Sequence, residues 1–228
     1  MGTVLAVLFY FTIAALLGRV FWRVLLVLRS TVHEETSPPV KSSAVIFFKS
    51  MADIALLRRV FRSNQGLWAG EWVFHVSFIV ILVEHLRFFL NQVPAWVTFI
   101  GPAGKVIGYI FGAALCYIFI YRIAVERGKA VSGYNLFLLV DVFFIALTGV
   151  LMRTVARVDL VSVKVFILGL LMFSPRAAPP YAVFYAHFLL VMAFVFFLPS
   201  HVFTAPHIIA EARKREEGVG LLIHEGKN

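Results

Sequence analysis

Four histidines stand at spacings that could bring them into register on two helices. His75 and His85 are ten residues apart within FHVSFIVILVEHLRFF (74–89), and His187 and His201 are fourteen apart within YAVFYAHFLLVMAFVFFLPSH (181–201). On a helix, ten residues rise about 15 Å and leave the two side chains about 80° apart; fourteen rise about 21 Å and leave them about 40° apart. Both runs are otherwise almost wholly apolar, where an unpartnered imidazole is costly. Imidazole is an axial ligand of haem iron, and two imidazoles on facing helices hold a non-covalent haem without any cysteine. Six-coordinate iron of that kind carries electrons rather than binding oxygen. The competing reading is four packing histidines, each hydrogen-bonded to a neighbouring helix.

The elements that must position them are membrane helices. Of 228 residues, 61% are hydrophobic and only 14% charged, against about 25% charged in soluble domains. A hydrocarbon core of about 30 Å takes about 20 helical residues, and five apolar blocks meet that: 3–28, 71–93, 102–124, 135–156 and 181–205. The expected fold is all-α integral membrane, a single membrane domain (1–228) of five transmembrane helices. The first block has no Lys or Arg before Arg19 and so lacks the positive start of a signal peptide; it is expected to be a retained helix. Cys116 is the sole cysteine, which excludes intramolecular disulfides, Cys-ligated iron–sulfur clusters and covalent haem attachment. No internal repeat is visible.

The net charge of +9 points to topology rather than to nucleic acid, because Lys and Arg collect in cytoplasmic loops. Loop 29–70, the loop with Arg127 and Lys129, and the tail 206–228 are basic, whereas the N-terminal end and 94–101 carry no Lys or Arg. The expected N-terminus is therefore outside and the C-terminus cytoplasmic. Loop 29–70 includes SAVIFFKSMADIALLRRVFRS (43–63), suited to an amphipathic surface segment. The apolar stretch 160–174 is short for a span and is expected to be interfacial or re-entrant; a span there would reverse the last helix. With the second and fifth helices antiparallel, His85 faces His187 near the outer side and His75 faces His201 near the cytoplasmic side. His207, turned about 200° from His187 and following Pro206, is the alternative to His201. His33 and His224 lie in polar stretches and are expected to be solvated.

With FH (74–75), a second His ten residues on, one His opening the last helix and another beginning HVFTAP (201–206), the chain resembles the nitrate reductase gamma subunit family of di-haem membrane cytochromes b. That family includes the membrane subunits of heterodisulfide reductase, of the dissimilatory sulfite reduction complex and of the high-molecular-weight cytochrome complex. The resemblance covers the second to fifth blocks and weakly the first. It implies two haem b groups, the outer on His85 and His187 and the inner on His75 and His201. It implies an electron-transfer subunit of a respiratory oxidoreductase in a prokaryotic cytoplasmic (inner) membrane. Electrons would pass between a quinol or quinone, menaquinone in type, near the outer face and cytoplasmic iron–sulfur or catalytic subunits. Lys105 matches a family lysine beside the quinol. Two departures are visible: the final His spacing is shorter than in nitrate reductase, and Glu84 stands where nitrate reductase has glycine. Alternatives are a haem relay without its own quinone site, the cytochrome b of a hydrogenase or formate dehydrogenase, and, from another class, a haem-free anchor or transporter.

Several residues carry two readings. Glu84 either accepts a proton from quinol or pairs with Arg87 or Lys105. Lys105 belongs either to a quinone site or to the membrane interface as a snorkelling side chain. Arg87 and Arg153 suit haem propionates or interfacial anchoring. Gly104, Gly108 and Gly112 form a smooth stripe for close helix packing or for a flat ring. Asp141 is a proton-path residue or a satisfied helix-facing acid. Glu71 is expected to be solvated at a helix end, and the 24 phenylalanines to pack or face lipid.

Overall fold

The computed structural model describes residues 2–30, 43–125 and 133–198, and among them all regular structure is helical. In chain order the helices are α1 (Gly2–Ser30), α2 (Ser43–Ala55), α3 (Arg58–Ser63), α4 (Gln65–Phe89), α5 (Ala95–Ile100), α6 (Gly104–Ala124), α7 (Gly133–Thr154), α8 (Leu160–Leu171) and α9 (Ala182–Leu198). α1, α4, α6 and α7 are long and apolar enough to cross a membrane. Only a helix satisfies its own backbone polar groups in hydrocarbon, so long apolar runs become helices there. Their outward faces stay apolar: Ile79, Leu82, Val106 and Ile120 are all more than half exposed. This is an integral membrane helical protein. α9 is apolar, but its described part is shorter than those four. Residues 199–205 with His201, the tail with His207, and the loop with Arg127 and Lys129 lie outside the described residues.

Proline and glycine set several boundaries. Pro94 caps α5, and Gly101 and Pro102 separate α5 from α6. α4 begins six residues before the apolar block 71–93, since Gln65 to Gly70 continue the same helix. The short loop 94–101 contains α5. α8 has 12 residues, about 18 Å of helix against a hydrocarbon core of about 30 Å, which suits an interfacial or re-entrant position. Its N-cap is Asp159, whose carboxylate accepts from Val161 N at 3.1 Å and Ser162 N at 3.0 Å. Those backbone N–H groups hold the Asp159 carboxyl below the ordinary carboxylate range.

The chain divides into two compact units, Met1–Ile13 with Gly66–Phe196, and Ala14–Gln65 with Phe197–Asn228. The first unit has two packed cores. One gathers Leu5 and Ala6 of α1, Phe166 and Leu170 of α8, and Phe184, Phe188 and Met192 of α9. The other joins Phe111 and Leu115 of α6 to Val142 of α7, with Phe74 and Phe78 of α4 and Phe194 of α9 packed against them. Phe111 stacks on Phe74 and Phe78, with centroids 5.3 and 5.8 Å apart, and Phe78 meets Phe194 edge-on at 5.9 Å. In lipid such contacts work by packing rather than by water exclusion. In the second unit the predicted amphipathic segment is two helices, α2 and α3, broken at Leu56–Leu57. Leu57 has a positive φ of 48°, and Asp53 is buried with Arg58 Nη1 4.0 Å away.

Candidate functional site

α4 presents both of its histidines in the same way. His75 Nδ1 lies 2.6 Å from the Glu71 carbonyl oxygen, and His85 Nδ1 lies 2.7 Å from that of Ile81. A carbonyl only accepts, so Nδ1–H is the donor in each ring and the lone pair of the neutral imidazole is on Nε2. His187, near the start of α9, places Nδ1 2.9 Å from Thr148 Oγ1 of α7. The Thr148 hydroxyl donates to the Phe144 carbonyl at 2.7 Å, with that of Ile145 at 3.1 Å. Its oxygen is then free to accept from His187 Nδ1–H. The Ile145 carbonyl also lies beside the His187 ring. In each of the three rings Nδ1 is the nitrogen that makes these bonds.

The His187 ring lies within electrostatic range of His85. Both rings are partly buried. α7 passes close by, because a Cβ on Gly149 would be 3.4 Å from His187 Cε1. Among the described residues no group of three or more His, Cys, Asp or Glu side chains gathers as for a bare metal ion. The partner expected for His75, His201, and its alternative His207, lie outside the described residues.

Beside His85 is a cluster of charge. Glu84 is only 4% exposed and its carboxylate is held by Arg87, one turn on in α4, and by Arg153 of α7. Arg153 reaches Oε1 at 3.2 Å and Oε2 at 3.5 Å, and also donates to the Gly101 carbonyl at 3.0 Å. Arg87 Nε donates to the Glu84 carbonyl at 3.0 Å. The two arginines considered for propionates are thus both seated on Glu84. Of the two partners the sequence offered Glu84, the structure uses Arg87, while Lys105 is exposed. The glycine stripe of α6 divides along its length. Gly104 makes room for the Glu84 carboxylate, where any Cβ would collide. Gly108 would meet Val150 at 3.8 Å, and Gly112 faces open space.

At the other end of α4, Glu71 is not simply solvated: Arg122 of α6 pairs with it at 2.8 Å. Tyr117 donates to the Gly66 carbonyl at 3.0 Å, and Gly70 is flat enough to seat the Tyr117 ring, where a Cβ would meet Cδ1 at 2.5 Å. Asp141, between the two ends on α7, is 5% exposed and its Oδ2 has no hydrogen-bond partner among the described residues. It precedes Thr148 by seven residues and so shares its face of the helix. Thr148 itself escaped the sequence reading. Its available signal was a hydroxyl on the face of α7 that also carries Asp141.

Two curated relatives are similar to the chain. Both are described as Hdr-like menaquinol oxidoreductase cytochrome b-like subunits. The one from Archaeoglobus fulgidus is 28% identical over 174 residues, covering 68% of this chain and 52% of the relative. The one from Archaeoglobus profundus is 29% identical over 202 residues, covering 75% of this chain and 59% of the relative. The chain therefore spans between half and three fifths of the length of these relatives. No protein-family model matches the chain, and no solved structure matches it significantly.

Proposed function

We propose that this chain is a di-haem cytochrome b subunit of a menaquinol-linked membrane oxidoreductase. The observation that carries the reading is the pair His85 and His187. They lie on different helices, within electrostatic range of each other, each with Nδ1 bonded to a protein acceptor, which leaves the lone pair of the neutral ring on Nε2. Ligating histidines are held in this way, with the second nitrogen bonded to a carbonyl or hydroxyl that fixes tautomer and orientation. The names of the two relatives, cytochrome b-like subunits of a menaquinol oxidoreductase, support the same reading.

When bound, the b haems supply one-electron transfer with no open coordination position. His85 and His187 are the proposed ligands of one. His75, oriented like His85, and His201, with His207 as the alternative, are the proposed ligands of the other. Five spans are proposed, with α9 continuing as the fifth, α1 starting outside and the basic tail cytoplasmic. On that topology the His85 end faces outward. Lys105, exposed at the start of α6, is the proposed quinol contact. Glu84, the other quinone-site candidate, is buried between two guanidiniums and is proposed to fix the charge beside His85. The proposed partners are lipid, menaquinol and a cytoplasmic iron–sulfur subunit docked on loop 29–70 and the tail.

Haem per polypeptide, measured by pyridine haemochrome on detergent-purified protein, tests the reading. Wild type should hold two b haems and His85→Ala about one, since half the ligand pairs are lost. Folded wild-type protein without haem would remove the cytochrome reading.

A further inference from the structure

We infer that Thr148 is a positioning residue for His187, whose hydroxyl sets how strongly that ring donates to iron; this rests on the reading of His187 as an axial ligand. His75 and His85 each tie Nδ1 to the carbonyl four residues earlier in their own helix. His187 does not. Its Nδ1 crosses from α9 to α7 and meets a side-chain hydroxyl at 2.9 Å. That hydroxyl has its single hydrogen committed to the Phe144 carbonyl at 2.7 Å, so it can only accept from the ring. A hydroxyl that donates in this way is polarised and becomes a better acceptor, because chains of hydrogen bonds reinforce one another. Gly149, next in the helix, keeps the ring face clear, with His187 Cε1 3.4 Å from where a Cβ would stand.

The consequence is electronic as well as steric. An acceptor on Nδ1–H raises the basicity of Nε2 and fixes the ring plane. A more basic ligand favours the ferric over the ferrous state and so lowers the midpoint potential of that haem. Of the three described histidines, only His187 has this acceptor on a side chain. A point substitution can therefore remove it without touching a ligand or a backbone group.

The test uses the full chain in detergent, with Thr148→Val (same shape, no hydroxyl) and Thr148→Ser (hydroxyl kept). Haem content, the low-spin ferric EPR signals and a redox titration are read for each. Thr148→Val should keep two haems, shift one of the two EPR signals and move one midpoint upward, leaving the other in place. Thr148→Ser should match wild type. Unchanged EPR and potentials in Thr148→Val would overturn the inference and make the nearby Ile145 carbonyl a sufficient partner. Loss of one haem in both variants would also overturn it, since shape rather than the hydroxyl would then be what matters. Two haems remaining in His187→Ala would instead show that His187 is not a ligand, a failure of the underlying reading that the Thr148 variants alone do not produce.

Discussion

The two ends of α4 carry similar histidines in different electrostatic settings. At the His85 end a buried carboxylate sits between two guanidiniums, Arg87 and Arg153, with Gly104 cut back to make room. At the His75 end, Glu71 pairs with Arg122, and Tyr117 and Tyr121 are seated on Gly70 and Gly66. The first cluster sets one carboxylate against two guanidiniums and joins α4, the α5–α6 turn and α7. The second sets Glu71 against Arg122 and joins α4 to α6. If His85 and His75 each hold a haem as proposed, the two sites need not have equal potentials, because a surplus positive charge beside His85 favours the reduced state.

The largest expected effect comes from Glu84→Gln. Removing one partner from a buried ion pair typically costs about 3–5 kcal/mol, because the remaining charge is left uncompensated. Here Arg87 and Arg153 are 26% and 39% exposed and regain some water, which lowers the expectation to about 2–3 kcal/mol. Thermal unfolding in detergent should show the loss, and, if His85 holds a haem as proposed, redox titration should show its midpoint moving upward as the neighbouring negative charge disappears. If stability were unchanged, the cluster would not be what joins α4 to α7.

Glu71→Gln makes the same chemical change at the other end and should do less. Arg122 is 30% exposed and Glu71 17%, so the pair resembles the surface class, about 0.5–1 kcal/mol. Added salt should weaken the wild-type pair and narrow the difference between wild type and variant. A loss as large as that of Glu84→Gln would erase the contrast between the two ends.

How much of this was legible in the sequence follows from the range of each interaction. The long apolar helices were, because lipid imposes length and apolarity residue by residue. The orientation of His75 and His85 was half legible: the ten-residue spacing was plain, whereas the bond from Nδ1 to the preceding turn emerges only with helix geometry. The meeting of Glu84 with Arg153 was not legible, since it spans 69 positions and depends on how α4 and α7 pack. Arg153 was therefore weighed only as a propionate partner or an anchor. Glu71 was expected to be solvated because it lies at the edge of its apolar block, but α4 extends back to Gln65 and brings the side chain opposite Arg122. Thr148 was missed because a threonine in an apolar helix ordinarily satisfies itself on its own preceding carbonyl. Here it does so and still accepts from a second helix.

Asp141 separates the two ends and should give the smallest effect on stability. It is a buried carboxylate with one oxygen lacking a hydrogen-bond partner among the described residues. A buried polar group without its full complement of bonds contributes nothing to offset its desolvation, and replacing such a group by an apolar one of similar size is often neutral or stabilising. Asp141→Leu should therefore keep the two proposed haems and change stability by no more than about 1 kcal/mol, in the stabilising direction. Activity is the sharper readout. The carboxylate shares a face of α7 with Thr148, about 10 Å along the helix from it. If menaquinol oxidation falls in Asp141→Leu and in Asp141→Asn while stability holds, the acid is retained for proton movement between the two ends. If activity holds and stability rises, the acid has no part in turnover, and the functional chemistry is confined to the ends of α4.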